Sequence, residues 1–393
     1  MYVNRDLEEK INKYMDREEI IAVTGTRQCG KTTMISHILK KYENVNSITF
    51  EDVNKKLMFE DDIDSFIDLY VKEYDYLFID EVQYAENSGK QLKYIYDTQN
   101  IKIIISGSSS TDLSIESLKY LVGRIMVFEL YPFSFREFLS FRDDRLYELF
   151  LKKDFGDQVN EKILGYIKEY IQYGGYPRVA ISNSPEEKKL VLKNIYNTYL
   201  LREIKELLQL SDNDKLVRLL RALSLQMGNM IRYNELSDTT GFNYKNLKRY
   251  LQVLEQTFIC SRCYTYYTNK RKELVKTPKI FFVDNGFRNQ CAGDFRVDHL
   301  QTGQYYENLV YSEFLKKDVK LKYWRTKSKA EVDFIKDDRI PIEVKRSPKI
   351  TKSFLSFIDR YNPDEGYIVS EVKNDSVTRD GCRIYFVPFS RFI

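Results

Sequence analysis

The sequence predicts an α/β fold whose core is a parallel sheet with helices on both faces. Up to about Leu130, apolar runs of strand length alternate with longer segments of helical period, as expected for parallel strands joined by helical crossovers. A glycine-rich segment, GTRQCGKTTM (25–34), separates the first apolar run from a helical stretch. Beyond this region the pattern changes to helices, then to three helices with a strand, and finally to strands.

These changes of pattern predict four domains. They are a core at 1–131, a helical region at 132–210, a helix-helix-helix-strand region at 211–268 and a strand-rich α/β domain at 279–393. Within the core, the five apolar runs predicted as strands are 20–23, 47–50, 76–79, 101–105 and 125–128. The last domain carries the runs KIFFV, KLKYW, EVDFI, IPIEV, GYIVS and CRIYFV.

The composition indicates a globular protein of the reducing cytoplasm. The 393 residues are 43% hydrophobic and 31% charged, and no apolar stretch approaches the length of a bilayer. The first ten residues lack the apolar core of a signal peptide. Five scattered cysteines predict free thiols, and we interpret the C-x-x-C of Cys260 and Cys263 as a chance pair on a strand. A net charge of +4 is too small to predict a nucleic-acid partner by itself.

The glycine-rich segment matches the phosphate-binding pattern G-x-x-x-x-G-K-[ST] at Gly25, Gly30, Lys31 and Thr32. Its glycines allow backbone N–H groups to curl around a phosphate, the lysine neutralises phosphate oxygens, and the threonine hydroxyl ligates Mg²⁺. Its position between a strand and a helix favours this interpretation over a glycine-rich turn with an incidental lysine. The residues predicted to bind ATP are Gly25, Thr26, Arg27, Gln28, Cys29, Gly30, Lys31, Thr32 and Thr33.

Acidic and polar residues follow the next strands. In YLFIDEVQ, we expect Asp80 to hold the Mg²⁺ and Glu81 to orient and deprotonate the attacking water, although a strand that merely ends in acids is the alternative. The neighbouring strand ends in SGSS (106–109), whose serines we expect to sense the γ-phosphate. Arg124 is predicted to reach a γ-phosphate in its own or a neighbouring subunit, with a surface arginine as the alternative.

At these positions the chain resembles prokaryotic AAA-type ATPases of the additional-strand, catalytic-glutamate class. The family motifs GxRxxGKT, DEhQ, GSs, LxGR and PhSF are matched by Gly25/Arg27/Gly30/Lys31/Thr32, Asp80/Glu81/Gln83, Gly107/Ser108, Leu121/Gly123/Arg124 and Pro132/Phe133/Ser134/Phe135. The resemblance implies ATP hydrolysis and a helical lid. A GGxP at Gly174, Gly175 and Pro177 resembles the lid element that closes over the nucleotide, with a helix-breaking turn as the alternative.

The third domain is predicted to be a winged helix-turn-helix. Leu247, Tyr250, Leu251 and Leu254 recur at helical spacing and are expected to face the core. Lys245, Lys248, Arg249 and Gln252 then point outward from the third helix, the face that would enter a DNA major groove. A rigid protein contact with an ordinary solvated face remains the alternative.

The last domain contains AEVDFIKDDRIPIEVKRS, which alternation predicts to be a hairpin with Asp333, Glu343 and Lys345 on one face. Glu307 lies on an apolar helical stripe, where a carboxylate needs a partner such as a metal. These four residues resemble the restriction-endonuclease-like PD-(D/E)xK fold, although Ala330-Glu331-Val332 replaces the usual Pro-Asp. The resemblance implies Mg²⁺ or Mn²⁺ on Glu307, Asp333 and Glu343, with Lys345 activating water. A solvated amphipathic hairpin is the alternative.

We therefore expect an ATPase whose nucleotide cycle moves its domains on DNA, with a metal-dependent nuclease as a possible further activity. The alternative function is an ATP-dependent switch or scaffold whose nuclease-like domain binds a partner without cutting. A homo-oligomeric translocase with Arg124 acting between subunits also remains open.

Overall fold

Five parallel strands form the first sheet, as predicted. The structure is a computed structural model that describes residues 2–107, 119–198, 204–208, 213–296, 303–371 and 374–393. The strands are β1 Ile20–Gly25, β2 Val45–Thr49, β3 Tyr76–Asp80, β4 Lys102–Gly107 and β5 Ile125–Leu130. Their order in the sheet is β2-β3-β4-β1-β5, so β4 lies between β1 and β3.

Helices cover both faces of this sheet because its strands are apolar on both sides. The helices are α1 Asp6–Asn12, α2 Lys31–Leu39, α3 Val53–Asp61, α4 Ile63–Tyr70 and α5 Ser88–Thr98. Adjacent residues of β3 enter opposite layers: Leu77 packs with buried residues of α3, α4 and α5, whereas Phe78 packs with those of α1 and α2. Short 3₁₀ helices occupy Val82–Tyr84 and Lys119–Leu121.

The chain divides into two compact units, one of Met1–Pro132 with Gln256–Phe258 and one of Phe133–Glu255 with Ile259–Ile393. The second unit begins with helices, as the sequence predicts for this region. They are α6 Phe135–Arg142, α7 Asp144–Lys152, α8 Asp157–Tyr173, α9 Pro177–Ala180, α10 Pro185–Ile195 and α11 Lys205–Leu208. The domain limits predicted within this unit stay predictions.

Three helices and a two-stranded antiparallel sheet follow. The helices are α12 Asn213–Leu225, α13 Tyr233–Thr240 and α14 Tyr244–Gln256, and the last two are joined by a turn in which Gly241 has φ +70°. Strand β6 (Cys260–Cys263) pairs with β7 (Lys279–Phe282), and α15 (Lys270–Val275) lies between them in the chain. The KIFFV run therefore pairs with the C-x-x-C strand. All five cysteines are buried free thiols.

A six-stranded mixed sheet ends the chain. The elements of this region are α16 Asn285–Ala292, α17 Gly303–Lys316, β8 Leu321–Arg325, β9 Glu331–Lys336, β10 Ile340–Val344, α18 Lys352–Tyr361, β11 Glu365–Ser370, β12 Asp375–Arg379, β13 Cys382–Pro388 and α19 Phe389–Phe392. The strand order is β12-β13-β11-β10-β9-β8. The sheet contains every other strand predicted for this region and adds β12, which is largely exposed. Across the described ranges, no helix has the length and apolar character needed to cross a bilayer.

The GGxP segment is a tight turn between α8 and α9, embedded in the second unit. The Asp284 carboxylate accepts the Gly175 N–H at 2.7 Å and the Phe287 N–H at 2.8 Å, and burial raises its pKa. A Cβ at Gly174 would lie 2.0 Å from this carboxylate, and its φ of +78° also favours glycine. The helix-breaking turn is therefore present, and the role of the GGxP in closing over a nucleotide stays a prediction.

A second buried network holds the segment that starts this unit. Glu313 on α17 accepts the Phe135 N–H at 3.0 Å and pairs with Lys316 at 3.3 Å. The Tyr170 hydroxyl lies 2.9 Å from Glu313 Oε1 and 2.6 Å from the Phe133 carbonyl oxygen. Burial raises the pKa of Tyr170 well above its usual value. Because buried polar groups are costly unless they are paired, this network specifies how the segment packs.

Candidate functional site

The glycine-rich loop joins the end of β1 to the start of α2, as the motif requires. Gly25 has φ +151°, and a Cβ on it would lie only 2.0 Å from the Leu130 carbonyl oxygen of the neighbouring strand β5. Gly30 has φ +95° and is the residue that caps α2. Both glycines are therefore required by the backbone, and the first backbone N–H groups of α2 are directed into the loop.

Lys31 lies inside this loop and not on its surface. Its residue exposure is 6%, and Nζ donates hydrogen bonds to the carbonyl oxygens of Gly25 and Thr26, each at 3.1 Å. The loop is also anchored beneath by Cys29, which is fully buried and whose thiol donates to the Leu130 carbonyl oxygen at 3.4 Å. A buried cation is thus held within the loop by two of the loop's own carbonyl oxygens.

The carboxyl ends of β1, β3 and β4 bring three predicted residues together. The Thr32 hydroxyl donates to Asp80 Oδ2 at 2.7 Å. Asp80 Oδ1 accepts a hydrogen bond from the Ser106 hydroxyl and one from the Glu81 N–H at 3.1 Å. A hydroxyl and a carboxylate at this separation are oxygen donors of the kind that Mg²⁺ prefers, so these residues fit the predicted metal. Ser108 and Ser109 lie outside the described residues.

Glu81 follows Asp80 in a left-handed conformation, with φ +55°. This conformation is uncommon for a residue other than glycine and recurs at functional positions. Its carboxylate accepts a hydrogen bond from the Gln83 side chain, the glutamine of the predicted DEhQ motif. Arg27 on the loop donates to the Tyr84 hydroxyl at 3.0 Å, so the loop and the acidic segment are also linked at their surface.

Arg5 is a component of this region that sequence reasoning missed. It is 6% exposed, and its guanidinium donates to the carbonyl oxygen of Cys29 at 2.8 Å and to that of Tyr131 at 2.6 Å. One buried cation therefore joins the glycine-rich loop to the residue that follows β5. The only signal in the sequence is an arginine at the start of an acidic helix, which does not distinguish a buried side chain from a solvated one.

Arg124 does not reach the loop of its own chain, which corrects one of its two predicted roles. Parallel pairing places Ile125 beside Ile20, at the amino edge of the sheet, whereas the loop follows the carboxyl edge. Five residues of strand separate the edges by about 16 Å, further than an arginine side chain extends. Arg124 instead donates to Asp97 at 2.9 Å. A role between subunits stays a prediction.

The predicted acidic hairpin of the C-terminal sheet is present. Strands β9 and β10 pair antiparallel, and Asp333 and Glu343 are 5% and 2% exposed. Lys345 lies 3.3 Å from both carboxylates. Burial raises the pKa of Glu343 to about 7 against the opposing effect of Lys345. For Glu307, burial and the charge of Asp333 raise the pKa to about 8.

The metal predicted on Glu307, Asp333 and Glu343 stays a prediction. The described part of the chain contains no group of three or more His, Cys, Asp or Glu side chains that could hold a metal. Both oxygens of Glu343 lie 3.0 Å from the Thr351 hydroxyl, and Asp333 accepts the Val344 N–H at 2.8 Å.

A buried lysine, Lys279, takes part in the same cluster. It is 2% exposed, and Nζ lies 3.8 Å from Glu307 and 2.6 Å from Glu331. Neither Lys279 nor Thr351 was among the predicted site residues. The signals available were a lysine within an apolar strand, which needs a partner when buried, and a threonine at the start of a helix. Internal donors thus contact several oxygens of this acidic cluster.

The third helix of the middle region has the predicted division of faces. The four residues expected in the core are buried, and Lys245, Lys248, Arg249 and Gln252 are exposed. Lys248 Nζ lies 4.6 Å from the centre of the Tyr244 ring, which is itself half exposed. The face therefore combines cations with an accessible aromatic ring.

Family models match three successive parts of the chain. Residues 17–139 match a model described as AAA domain. Residues 17–139 form an AAA-type P-loop domain. Residues 165–297 and 302–392 match two domains of unknown function, DUF8612 and DUF4143. The AAA-type domain thus contains the glycine-rich loop, Asp80, Glu81 and Ser106, and no activity is attached to the two models that follow it.

Relatives extend along most of the chain. An uncharacterised protein from Haemophilus influenzae is 25% identical over 379 residues, which cover 90% of each chain. An uncharacterised protein from Methanocaldococcus jannaschii is 26% identical over 431 residues, covering 98% of this chain and 87% of its own. Among solved structures, the Walker-type ATPase PABY2304 of Pyrococcus abyssi is 16% identical with a TM-score of 0.43, over 74% of this chain and 96% of its own. A likeness at this level says nothing about activity.

The raised pKa of Glu343 predicts a pH-dependent stability. Its pKa rises from 4.5 to about 7 on folding, so its protonated form stabilises the protein below about pH 4.5 and this contribution is lost as the pH rises to about 7. The unmodified protein should therefore lose stability between pH 4.5 and 8, whereas Glu343→Gln should not. Over this range the free energy of unfolding of the variant should rise by up to about 3 kcal/mol relative to that of the unmodified protein. Urea unfolding at both pH values measures this difference. The control is Glu148→Gln on an exposed helix position, and an equal effect of Glu343→Gln at both pH values would contradict the prediction.

Proposed function

We propose that this protein binds and hydrolyses ATP and uses the nucleotide cycle to move a helix that contacts DNA. The observation that carries the proposal is the 2.7 Å contact between the Thr32 hydroxyl and the Asp80 carboxylate, beside the ammonium of Lys31. This arrangement supports a shared Mg²⁺ next to a phosphate-binding loop. The AAA-type domain matched by residues 17–139 supports the same function.

Each residue of the site has a proposed task. The loop from Gly25 to Thr33 holds the phosphates, and Lys31 exchanges its two backbone carbonyl partners for phosphate oxygens. Thr32 and Asp80 hold the Mg²⁺, which when bound neutralises charge on the phosphates. Glu81 accepts the proton of the attacking water, and Ser106 fixes the orientation of Asp80 through its hydrogen bond.

Glu81→Gln should bind ATP but hydrolyse it slowly. The change keeps the shape of the side chain and removes the proton acceptor, so kcat should fall by about 10²–10⁴-fold while ATP affinity is retained. Lys31→Ala should lose ATP binding itself. Phosphate release and ATP titration measure the two properties. Glu86→Gln, an exposed glutamate five positions further on, is the matched control. Undiminished hydrolysis in Glu81→Gln would remove that residue from its role.

We propose that α14 is the helix that contacts DNA, as the second helix of a helix-turn-helix. It follows α13 after a three-residue turn containing glycine, the spacing typical of that motif. Lys245, Lys248 and Arg249 supply exposed cations for phosphates and Gln252 can hydrogen-bond base edges. The two-stranded sheet β6-β7 after this helix is the proposed wing.

A chain of contacts in the first unit supports coupling between ATP and this helix. The buried Arg5 joins Cys29 of the loop to Tyr131. The Tyr131 ring packs edge-on against Phe258, with ring centres 5.5 Å apart. Phe258 belongs to the first unit and follows α14 by two residues. We propose that a change at the loop is passed along these contacts towards the end of α14.

Removing the Tyr131 ring should weaken the effect that ATP has on the affinity for DNA. Tyr131→Ala keeps the backbone carbonyl that Arg5 contacts and removes the ring packed on Phe258, so ATP hydrolysis should persist. The effect of ATP on affinity for duplex DNA should shrink by about 1–3 kcal/mol. Tyr131→Phe retains the ring and is the matched control. Anisotropy of labelled duplex DNA with and without ATP measures the coupling, and an unchanged ATP effect in Tyr131→Ala would refute this route.

We propose that the C-terminal sheet is a module that binds a partner without cutting DNA. The Thr351 hydroxyl beside both Glu343 oxygens and the buried Lys279 near Glu307 favour this over a nuclease. Incubation with linear and single-stranded DNA should give no cleavage in Mg²⁺ or Mn²⁺, with or without ATP. Gel electrophoresis is the measurement, and Lys345→Ala is the control. Cleavage that disappears in Lys345→Ala would establish the nuclease instead.

A further inference from the structure

A cleft of about 850 Å³ lies within the second unit. Helices α8, α10, α12, α16 and α17 each contribute to its wall, so it is built from distant parts of the chain. None of its lining residues belongs to the unit that contains the glycine-rich loop. Its volume falls within the range of about 300–1,000 Å³ that is usual for small-ligand sites.

Arg288 is a buried cation in the wall of this cleft. It is 8% exposed, and its guanidinium donates to the Ser224 carbonyl oxygen at 2.7 and 2.9 Å. It also donates to Asn289 Oδ1 at 3.2 Å and to the Tyr305 hydroxyl. All of these acceptors are neutral, and no carboxylate among the described residues lies within ion-pair distance of Arg288. Burial lowers its pKa, and the more distant charge of Asp294 in the same wall opposes this effect. A buried charge hydrogen-bonded only to neutral groups favours the approach of an anion.

Two further cations line the same cleft. Lys189 and Arg221 are exposed, and neither forms an ion pair with any residue that the structure describes. Asp294 and Arg296 also line the cleft, but they pair with each other at 2.9 Å and contribute no net charge. The described lining therefore carries three cations in excess, which gives the cleft a positive potential.

Aromatic and amide groups accompany these cations. Phe295 lines the cleft, and its ring stacks on the ring of Tyr173 with centres 6.2 Å apart. Lys189 Nζ lies 5.7 Å from the Phe295 ring. Gln172 and Gln304 supply side-chain amides, the first donating to the Phe295 carbonyl oxygen at 2.7 Å. Guanidinium groups recognise phosphate, aromatic rings stack on bases, and amides hydrogen-bond to base edges.

We propose that this cleft binds a nucleotide unit, with Arg288, Arg221 and Lys189 on its phosphate and Phe295 against its base. The nucleotide is either free or part of a single strand, and both present the same chemistry. This site is separate from the ATP site and from the exposed face of α14, and the proposal does not rest on ATP hydrolysis.

The test uses the full chain carrying Lys31→Ala, Lys248→Ala and Arg249→Ala, so that neither the glycine-rich loop nor α14 contributes to binding of the probe. The probe is a short fluorescein-labelled oligo(dT), followed by fluorescence anisotropy, with thymidine monophosphate as competitor. Arg221→Glu should raise Kd by about tenfold or more, because it reverses a charge that contacts phosphate. Arg218→Glu is the matched control, an exposed arginine on the same helix that does not line the cleft.

Displacement of the probe by thymidine monophosphate would identify a free nucleotide as the ligand, and binding of the oligonucleotide alone would identify a strand. Equal weakening by Arg218→Glu and Arg221→Glu would show a diffuse basic surface and overturn the proposal. Absence of binding by both probes would overturn it as well. Thermal melting checks that the variants fold. If Arg221→Glu is unstable, Lys189→Glu on α10 provides a second charge reversal in the same cleft.

Discussion

The order of the parallel strands is the constraint on which the candidate ATP site depends. Because β4 is inserted between β1 and β3, the carboxyl ends of all three strands meet at one edge of the sheet. Asp80 then receives Thr32 from the helix after β1 and Ser106 from the end of β4. The same parallel register places Arg124 at the opposite edge. One topological fact therefore brings three of the predicted residues together and separates the fourth from them.

Buried charge organises the rest of the molecule. Arg5, Asp284, Glu313 and Lys279 are each less than a tenth exposed, and desolvation makes each of them costly unless neighbours compensate. Three of these residues fix segments that the chain must position, namely the glycine-rich loop, the GGxP turn and the stretch after Pro132. Lys279 instead neutralises the acidic cluster that the sequence had suggested for a metal. Arg288 is a further buried charge, and its hydrogen-bond acceptors are neutral.

Residues at the limits of each unit are packed within that unit. Tyr131 and Phe258, which both belong to the first unit, contact each other at the point where the chain leaves it and re-enters the second. Phe133, the first residue of the second unit, is held there by Gly175 and by the buried network around Tyr170. The proposed coupling of ATP to α14 starts from the packing of Tyr131 on Phe258 within the first unit.

The sequence by itself determined the local features of the protein. Apolar runs predicted the five strands of the first sheet, the glycine-lysine pattern predicted the loop at Gly25–Thr33, and helical spacing predicted which side of α14 is buried. These features depend on a few adjacent residues, whose period and turn preferences are visible in the chain. Only the tertiary structure decided what distant residues do together. It showed that Arg5 joins the loop to Tyr131, that Lys279 and Thr351 occupy the acidic cluster, and that Arg124 lies at the far edge. Such contacts arise from strand order and burial, and residues far apart in the chain carry no periodic signal of their meeting.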